Sequence, residues 1–159
     1  MTKENKILSA LPIISFAEHP EILRKPARKV EDFDEDLELF VFQLNATMQS
    51  VTWGNPVGMA ANQVGDDRAI FIAEGIVYIN PEIVWVTRAP ADRNLEGCYS
   101  LEANKNFTVG RAPSIRVKWQ DMKGGYHEQR FNGFHARVIQ HEMDHLLGKL
   151  CTDEGRDTQ

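Results

Sequence analysis

Apolar positions recur at helical spacing in two parts of the chain and alternate in shorter runs between them. Leu37, Phe40, Val41, Leu44 and Met48 lie three, four or one apart, which predicts a first long helix over 34–51. The acidic run from Glu31 to Glu38 sits at its N-terminal end, where the helix dipole favours negative charge. Before it, Phe16 to Val30 carries Pro20 and Pro26 and reads as short helical turns within loop. Trp53 to Gly65, with Gly54, Pro56, Gly58 and Gly65, reads as loop. Ala69–Ala73, Gly75–Ile79 and Pro81–Thr87 read as three short strands, and Phe107–Val109 as another. Ser114–Gln120 alternates through Ile115, Val117 and Trp119; after a turn at Lys123-Gly124-Gly125, Tyr126–Phe131 is its hairpin partner. Asn132 or Gly133 opens a second helix that runs through Leu147, with Gly148 beyond its end. Helix, several strands, helix is an α+β order and not a repeating βαβ one.

Composition narrows the setting. A chain of 159 residues is long enough for one real core, so a single domain over 1–159 is expected. The formal charge of −5 argues against a nucleic acid or an anionic membrane as the main partner. No apolar run reaches the ~20 residues of a membrane span. Met1 to Lys6 followed by apolar Ile7 to Phe16 loosely imitates an export signal, but Glu4, Pro12 and the lack of a small-x-small cleavage site speak against one. Cys98 and Cys151 do not make a disulfide scaffold, and a reducing, cytoplasmic compartment is expected.

The second helix carries the chemistry. His141 and His145 are four apart, so both imidazoles project from one face and can reach one cation. Glu142 flanks the first histidine, where it can reach a water beside the metal; this is the His-Glu-x-x-His logic of metal hydrolases. The bland alternative is a surface helix with two solvated histidines. Asp144 points away from the shared face and is expected to make contacts behind the site.

Two histidines leave a catalytic metal one protein ligand short. Only 14 residues follow His145, including Asp153 and Glu154, in a polar tail expected to fray. The better third ligand lies upstream, in Glu96-Gly97-Cys98-Tyr99-Ser100, because a thiolate with two imidazoles suits zinc or ferrous iron. Taken alone, the pentapeptide favours Cys98 as an ordinary buried thiol. In Pro56-Val57-Gly58-Met59-Ala60-Ala61-Asn62-Gln63, small residues permit close approach of a backbone, and Gln63 offers an amide donor suited to an oxyanion. Read alone, that segment is a tight-packing loop with an exposed Gln.

Together and in this order, the three segments resemble the signature motifs of peptide deformylases: Gly-x-Gly-x-Ala-Ala-x-Gln, Glu-Gly-Cys-x-Ser and Gln-His-Glu-x-Asp-His. The resemblance runs from about Pro12 to Thr152. It implies antiparallel or mixed sheets packed around a central helix that carries the His-Glu-x-x-His motif. It implies hydrolytic removal of the N-formyl group from nascent peptides that begin with formylmethionine. It also implies metal binding by Cys98, His141 and His145, with iron(II) the usual ion in vivo and zinc or nickel also found. Glu142 is implied as the proton shuttle, and Gln63 with the Tyr99 N–H as the oxyanion donors.

The chain departs from the pattern at several points. Pro56 replaces the first motif glycine and fixes φ there. Tyr99 stands where leucine is usual. Leu101 to Asn106 replaces the usual Pro-Gly in a loop that borders the cleft in the family. The short end after the metal helix looks like that of phage-type members.

On this reading a formylmethionyl peptide lies extended beside the backbone of Val57, Gly58, Gly97 and Tyr99, as in strand addition. Phe134, Val138 and His141 are expected to wall the methionine pocket, with Glu96 and Arg111 as framework; Phe134 and Val138 read equally well as plain core. A monomer is expected, with at most transient contact with the ribosome exit region. The rival readings are a metal amidase acting on another acyl group and a metal-stabilised binding protein without turnover.

Overall fold

The structure, a computed structural model, describes residues 2, 5, 10–103, 105–153, 157 and 158. Of the positions raised above, Met1, Glu4, Lys6, Ile7, Asn104 and Glu154 lie outside the described residues. A short helix α1 (Pro20–Arg24) opens on Pro20, whose fixed φ suits a first helical turn. Helix α2 (Glu35–Ser50) is capped by Asp34, whose side chain accepts from the Leu37 N–H at 3.1 Å. Its first turn carries Glu35, Asp36 and Glu38, and its buried stripe is Leu37, Phe40, Val41, Leu44, Thr47 and Met48.

Five antiparallel strands form the larger sheet. They are β1 (Gly58–Ala60), β2 (Ile70–Ala73), β3 (Ile76–Val86), β6 (Ser114–Gln120) and β7 (Tyr126–Asn132), in the order β1-β2-β3-β6-β7. A second sheet has the order β4-β5-β8, from Asp92–Glu96, Phe107–Arg111 and Asp157–Thr158. Helix α3 (Gly133–Leu146) packs against strands of both sheets. The two-residue period of β2 divides the core: Phe71 and Ala73 face the α3 side, with Tyr78, Trp119 and Val138, while Ile70 and Ile72 face α2, with Leu37, Phe40 and Leu44. The sheet is thus held between two helices, and α3 is the central one.

Four local readings are corrected. Gly75–Ile79 and Pro81–Thr87 are not separate strands but one, β3, because Asn80 carries the chain through a bulge. Asn80 has φ of 50°, and its amide donates to the Val30 carbonyl and the Gln120 Oε1 while accepting from the Val30 N–H. The loop read over Trp53–Gly65 contains β1 and a 3₁₀ turn (Ala61–Val64); with Gly58, Ala60 and Ala61 the short strand gives little sequence signal. Strand β4 was not expected, since Asp92 to Asn94 are all polar and β4 is exposed except at Glu96. The described residues of the tail are anchored: Asp153 accepts from Arg24 at 2.6 and 3.0 Å, and Asp157–Thr158 pair with β5. Gly148, with φ of 73°, lets the chain turn against α1, where a β-carbon would collide with the Arg24 carbonyl. No helix among the described residues is long and apolar enough to cross a membrane.

Candidate metal centre

Helix α3 presents His141, Glu142 and His145 toward the end of β4, where the chain leaves the sheet through Gly97 and Cys98. Cys98 is held by a turn in which the Leu101 N–H donates to its carbonyl at 3.1 Å. The ligand atoms of Cys98, His141 and His145 all lie within 4.8 Å of one another. Cys98 Sγ is 3.4 Å from His145 Nε2. Burial works against the Cys98 thiolate, but charge and hydrogen bonds from His145 and His141 outweigh it and hold the thiol down at about 5.

Glu96, the last residue of β4, orients this cluster. Its Oε1 lies 2.8 Å from His141 Nδ1, so the other ring nitrogen is the one left for a ligand. The same carboxylate accepts from Arg111 at 2.9 Å through two nitrogens and from Arg137 at 2.6 Å. Burial raises the Glu96 carboxyl, but hydrogen bonds from Arg111 and His141 hold it well below the usual carboxylate range. Arg111 also donates to Asp144 at 2.6 Å, which puts Asp144 behind the site as expected. For His141, burial lowers the ring's pKa, but hydrogen bonds to Cys98 and Glu96 raise it well above the usual value.

Glu142 is buried beside the cluster, and its Oε2 has no partner among the described residues. Burial pushes its carboxyl up to about 6, with His141 and His145 opposing the shift. Gly58 makes room for it: a β-carbon at 58 would stand 2.7 Å from Glu142 Oε1. Gln63 is buried, not exposed. Its Oε1 accepts from the Ala60 N–H at 3.0 Å, which turns Nε2 toward Ser100 Oγ at 3.2 Å and Cys98 Sγ at 3.6 Å.

A cavity of about 410 Å³ opens over these groups. Val57, Gly58, Gln63, Gly97, Cys98, Tyr99, Phe134, Val138, His141 and Glu142 all line it. His145 and Arg111 stand behind that lining. Val138 is both core and wall, whereas Phe134 is 56% exposed at the mouth. Three residues were not anticipated. Arg137 lies one turn before His141 on the same face of α3, a spacing that could have pointed to it. Asn62 donates to the His145 carbonyl at 2.8 Å and carries no signal beyond its neighbours, whereas Ser100, which meets the Gln63 amide, is the serine that ends the Glu-Gly-Cys-x-Ser motif.

A thiolate, two imidazoles and an adjacent buried carboxylate whose Oε2 has no partner among the described residues fit one divalent cation. In this α+β frame they define a metal-dependent hydrolase. The family model described as polypeptide deformylase matches residues 11–159, and the chain belongs to that family. Peptide deformylase 1 of Clostridium perfringens is 38% identical over 139 residues, which cover 84% of this chain and 90% of that protein. Peptide deformylase of Dictyoglomus thermophilum is 39% identical over 136 residues, covering 83% and 85%. The crystal structure of the Thermotoga maritima enzyme superposes with a TM-score of 0.83 at 35% identity, covering 91% of this chain and 97% of that one. A Met-Ala-Ser-bound deformylase of Acinetobacter baumannii gives 0.81 at 30% identity, covering 91% and 97%. The activity of the chain is hydrolytic removal of the N-formyl group from nascent peptides.

Proposed function

We propose that Cys98, His141 and His145 hold the cation, that Glu142 moves the protons, and that Gln63 and the Tyr99 N–H steady the developing oxyanion. The observation that carries this is the cluster of three ligand atoms within 4.8 Å beside the unpartnered Glu142 Oε2. The bound cation supplies Lewis acidity, polarising an acyl oxygen and bringing the deprotonation of water within reach of neutral pH. Glu142 takes a proton from the attacking water and returns it to the methionine nitrogen as the C–N bond breaks. A carboxyl that burial raises toward neutrality can serve in both directions. The Gln63 amide is held by Ala60, so its donor already faces the cluster beside which charge develops.

The peptide lies extended between two open edges. Among the described residues strand β1 pairs only with β2, and β4 only with β5, which leaves the Val57–Gly58 and Gly97–Tyr99 backbones beside open edges for strand addition. The methionine side chain packs against Phe134 and Val138. The Met-Ala-Ser-bound relative supports a short peptide of that kind as occupant. Formyl, the smallest acyl group, suits a carbon site closed in by Gly58, Cys98 and Glu142.

The resident ion in the cell is iron(II), with zinc or nickel as substitutes. The protein works as a single unit over 1–159, as a cytoplasmic monomer that meets nascent chains near the ribosome exit. Two assays test the reading. Formate release from formylmethionyl but not acetylmethionyl peptides separates it from a general metal amidase. Metal-free protein reloaded without oxygen should regain activity in proportion to bound ion; in air the iron form should decay with oxidation of Cys98, and the zinc and nickel forms should persist. Equal decay of all three with Cys98 unmodified would remove iron from the account.

A further inference from the structure

Strand β7 ends the larger sheet and is left open. Among the described residues it pairs only with β6, in the order β1-β2-β3-β6-β7. Sheet edges are commonly blunted by a short strand, a proline or a bulge. Strand β7 has seven residues and no proline, and its register with β6 runs from Tyr126 to Asn132 without a shift. Every residue in it except Phe131 is exposed.

The hydrogen-bond phase of the hairpin sets which backbone groups face that edge. Antiparallel ladders alternate bonded and non-bonded pairs. At the turn the Asp121 N–H donates to the Gly125 carbonyl at 2.9 Å, and at the far end the Gly133 N–H donates to the Pro113 carbonyl at 2.9 Å. Counting inward from either end gives one phase. His127, Gln129 and Phe131 bond to β6, whereas Tyr126, Glu128 and Arg130 turn their N–H and C=O groups outward.

A second β7 laid antiparallel along this edge must set outward-turned residues opposite one another. Near the strand centre, three registers do so. One opposes Glu128 to Glu128, another opposes Arg130 to Arg130, and both bring like charges together. The third puts Gln129 on a two-fold axis and sets Glu128 opposite Arg130 twice. Residues directly opposite share a sheet face, so these side chains meet. They lie on the face turned away from α3, since Phe131, on the other face, packs in the core with Val138. Both are open to a new partner. Glu128 is 3.9 Å from Arg116, and among the described residues the Arg130 guanidinium donates only through Nε, to Ser114 and Asn132. The patch is therefore complementary to itself, as a two-fold interface requires.

We propose that two copies of the chain pair through β7, in the register centred on Gln129, and so extend the sheet across a two-fold axis. One strand pair buries less than a standard interface, so the dissociation constant is on the order of 0.1 mM. In more dilute solution the chain is the monomer of the reading above. Strand β1, beside the cleft, is the opposite edge of this sheet, so the pairing does not depend on the deformylase reading.

Sedimentation equilibrium of the full-length protein, from about 10 µM to about 1 mM, is the test. The weight-average mass should rise from 18.1 kDa toward twice that value. Glu128→Lys and Arg130→Glu each oppose like charges twice and should weaken association about 10-fold. Mixed in equal amounts, they should pair with each other about as well as the wild type, because each brings the charge the other lacks. Thermal melting checks the fold of each variant. Glu128→Gln replaces one that does not fold and should weaken pairing about 3-fold. A mass that stays at 18.1 kDa at every concentration would overturn the proposal. Undiminished association of the folded single variants, or no recovery in their mixture, would overturn it as well.

Discussion

His141 Nδ1 meets Glu96 Oε1 at 2.8 Å, and that carboxylate is shared with the buried heads of Arg111 and Arg137. One side chain thus orients a proposed metal ligand and neutralises two buried cations. Glu96→Ala should free the His141 ring and take from both guanidinium groups their shared buried carboxylate, leaving Arg111 with Asp144 at 2.6 Å and Arg137 with Asp92 at 3.7 Å. Removing one partner of a buried ion pair typically costs about 3–5 kcal/mol. Loss of an outer partner typically weakens metal binding about 10- to 100-fold. Urea unfolding and a metal-competition titration measure the two effects. Wild-type values in both would mean that Glu96 is a bystander.

Gly58→Ala tests how closely Glu142 is placed. The added methyl group would stand 2.7 Å from Glu142 Oε1, so the carboxylate must shift. A misplacement of this kind near reacting groups can cost about 100-fold in rate. We expect kcat to fall at least about tenfold with metal content and melting temperature near wild type. An unchanged kcat would show that Glu142 tolerates displacement.

Both cysteines are buried and free, but their environments differ. The His145 and His141 rings stabilise the Cys98 thiolate, whereas burial pushes the Cys151 thiol up to about 11. Cys98→Ser should abolish the sulfur-to-metal charge-transfer band of the cobalt-substituted protein and lower metal occupancy. Cys151→Ser should leave the band in place. Loss of the band in the Cys151 variant would reassign the thiolate ligand.

Much of the frame was legible because periodicity reports burial directly. The stripe Leu37, Phe40, Val41, Leu44 and Met48 is buried on one face of α2, and Ile115, Val117 and Trp119 are buried along β6. The missed strands are those in which packing gives no pattern. The run Asp92 to Asn94 faces solvent and is held by pairing with β5, and β1 is only the three residues Gly58-Met59-Ala60, too short for a pattern and held by β2. Asn80-Pro81 reads as a break, yet the Asn80 amide bonds carry the strand across it. Residues at the site divide in the same way. His141, Glu142 and His145 are set by helical spacing alone. Cys98 and Gln63 join them only through the fold, and the link from Arg137 to Glu96 crosses 41 residues of chain.

Formate release by Glu142→Gln, set beside its bound metal, tests the central claim most directly. The substitution keeps the side chain's shape and removes its capacity to move a proton. General acid–base help is typically worth 10²–10⁴-fold. With protein prepared without oxygen and a formylmethionyl dipeptide as substrate, the variant should bind metal as the wild type does and release formate at least ~100-fold more slowly. A metal-loaded Glu142→Gln protein that turns over near the wild-type rate would contradict the account.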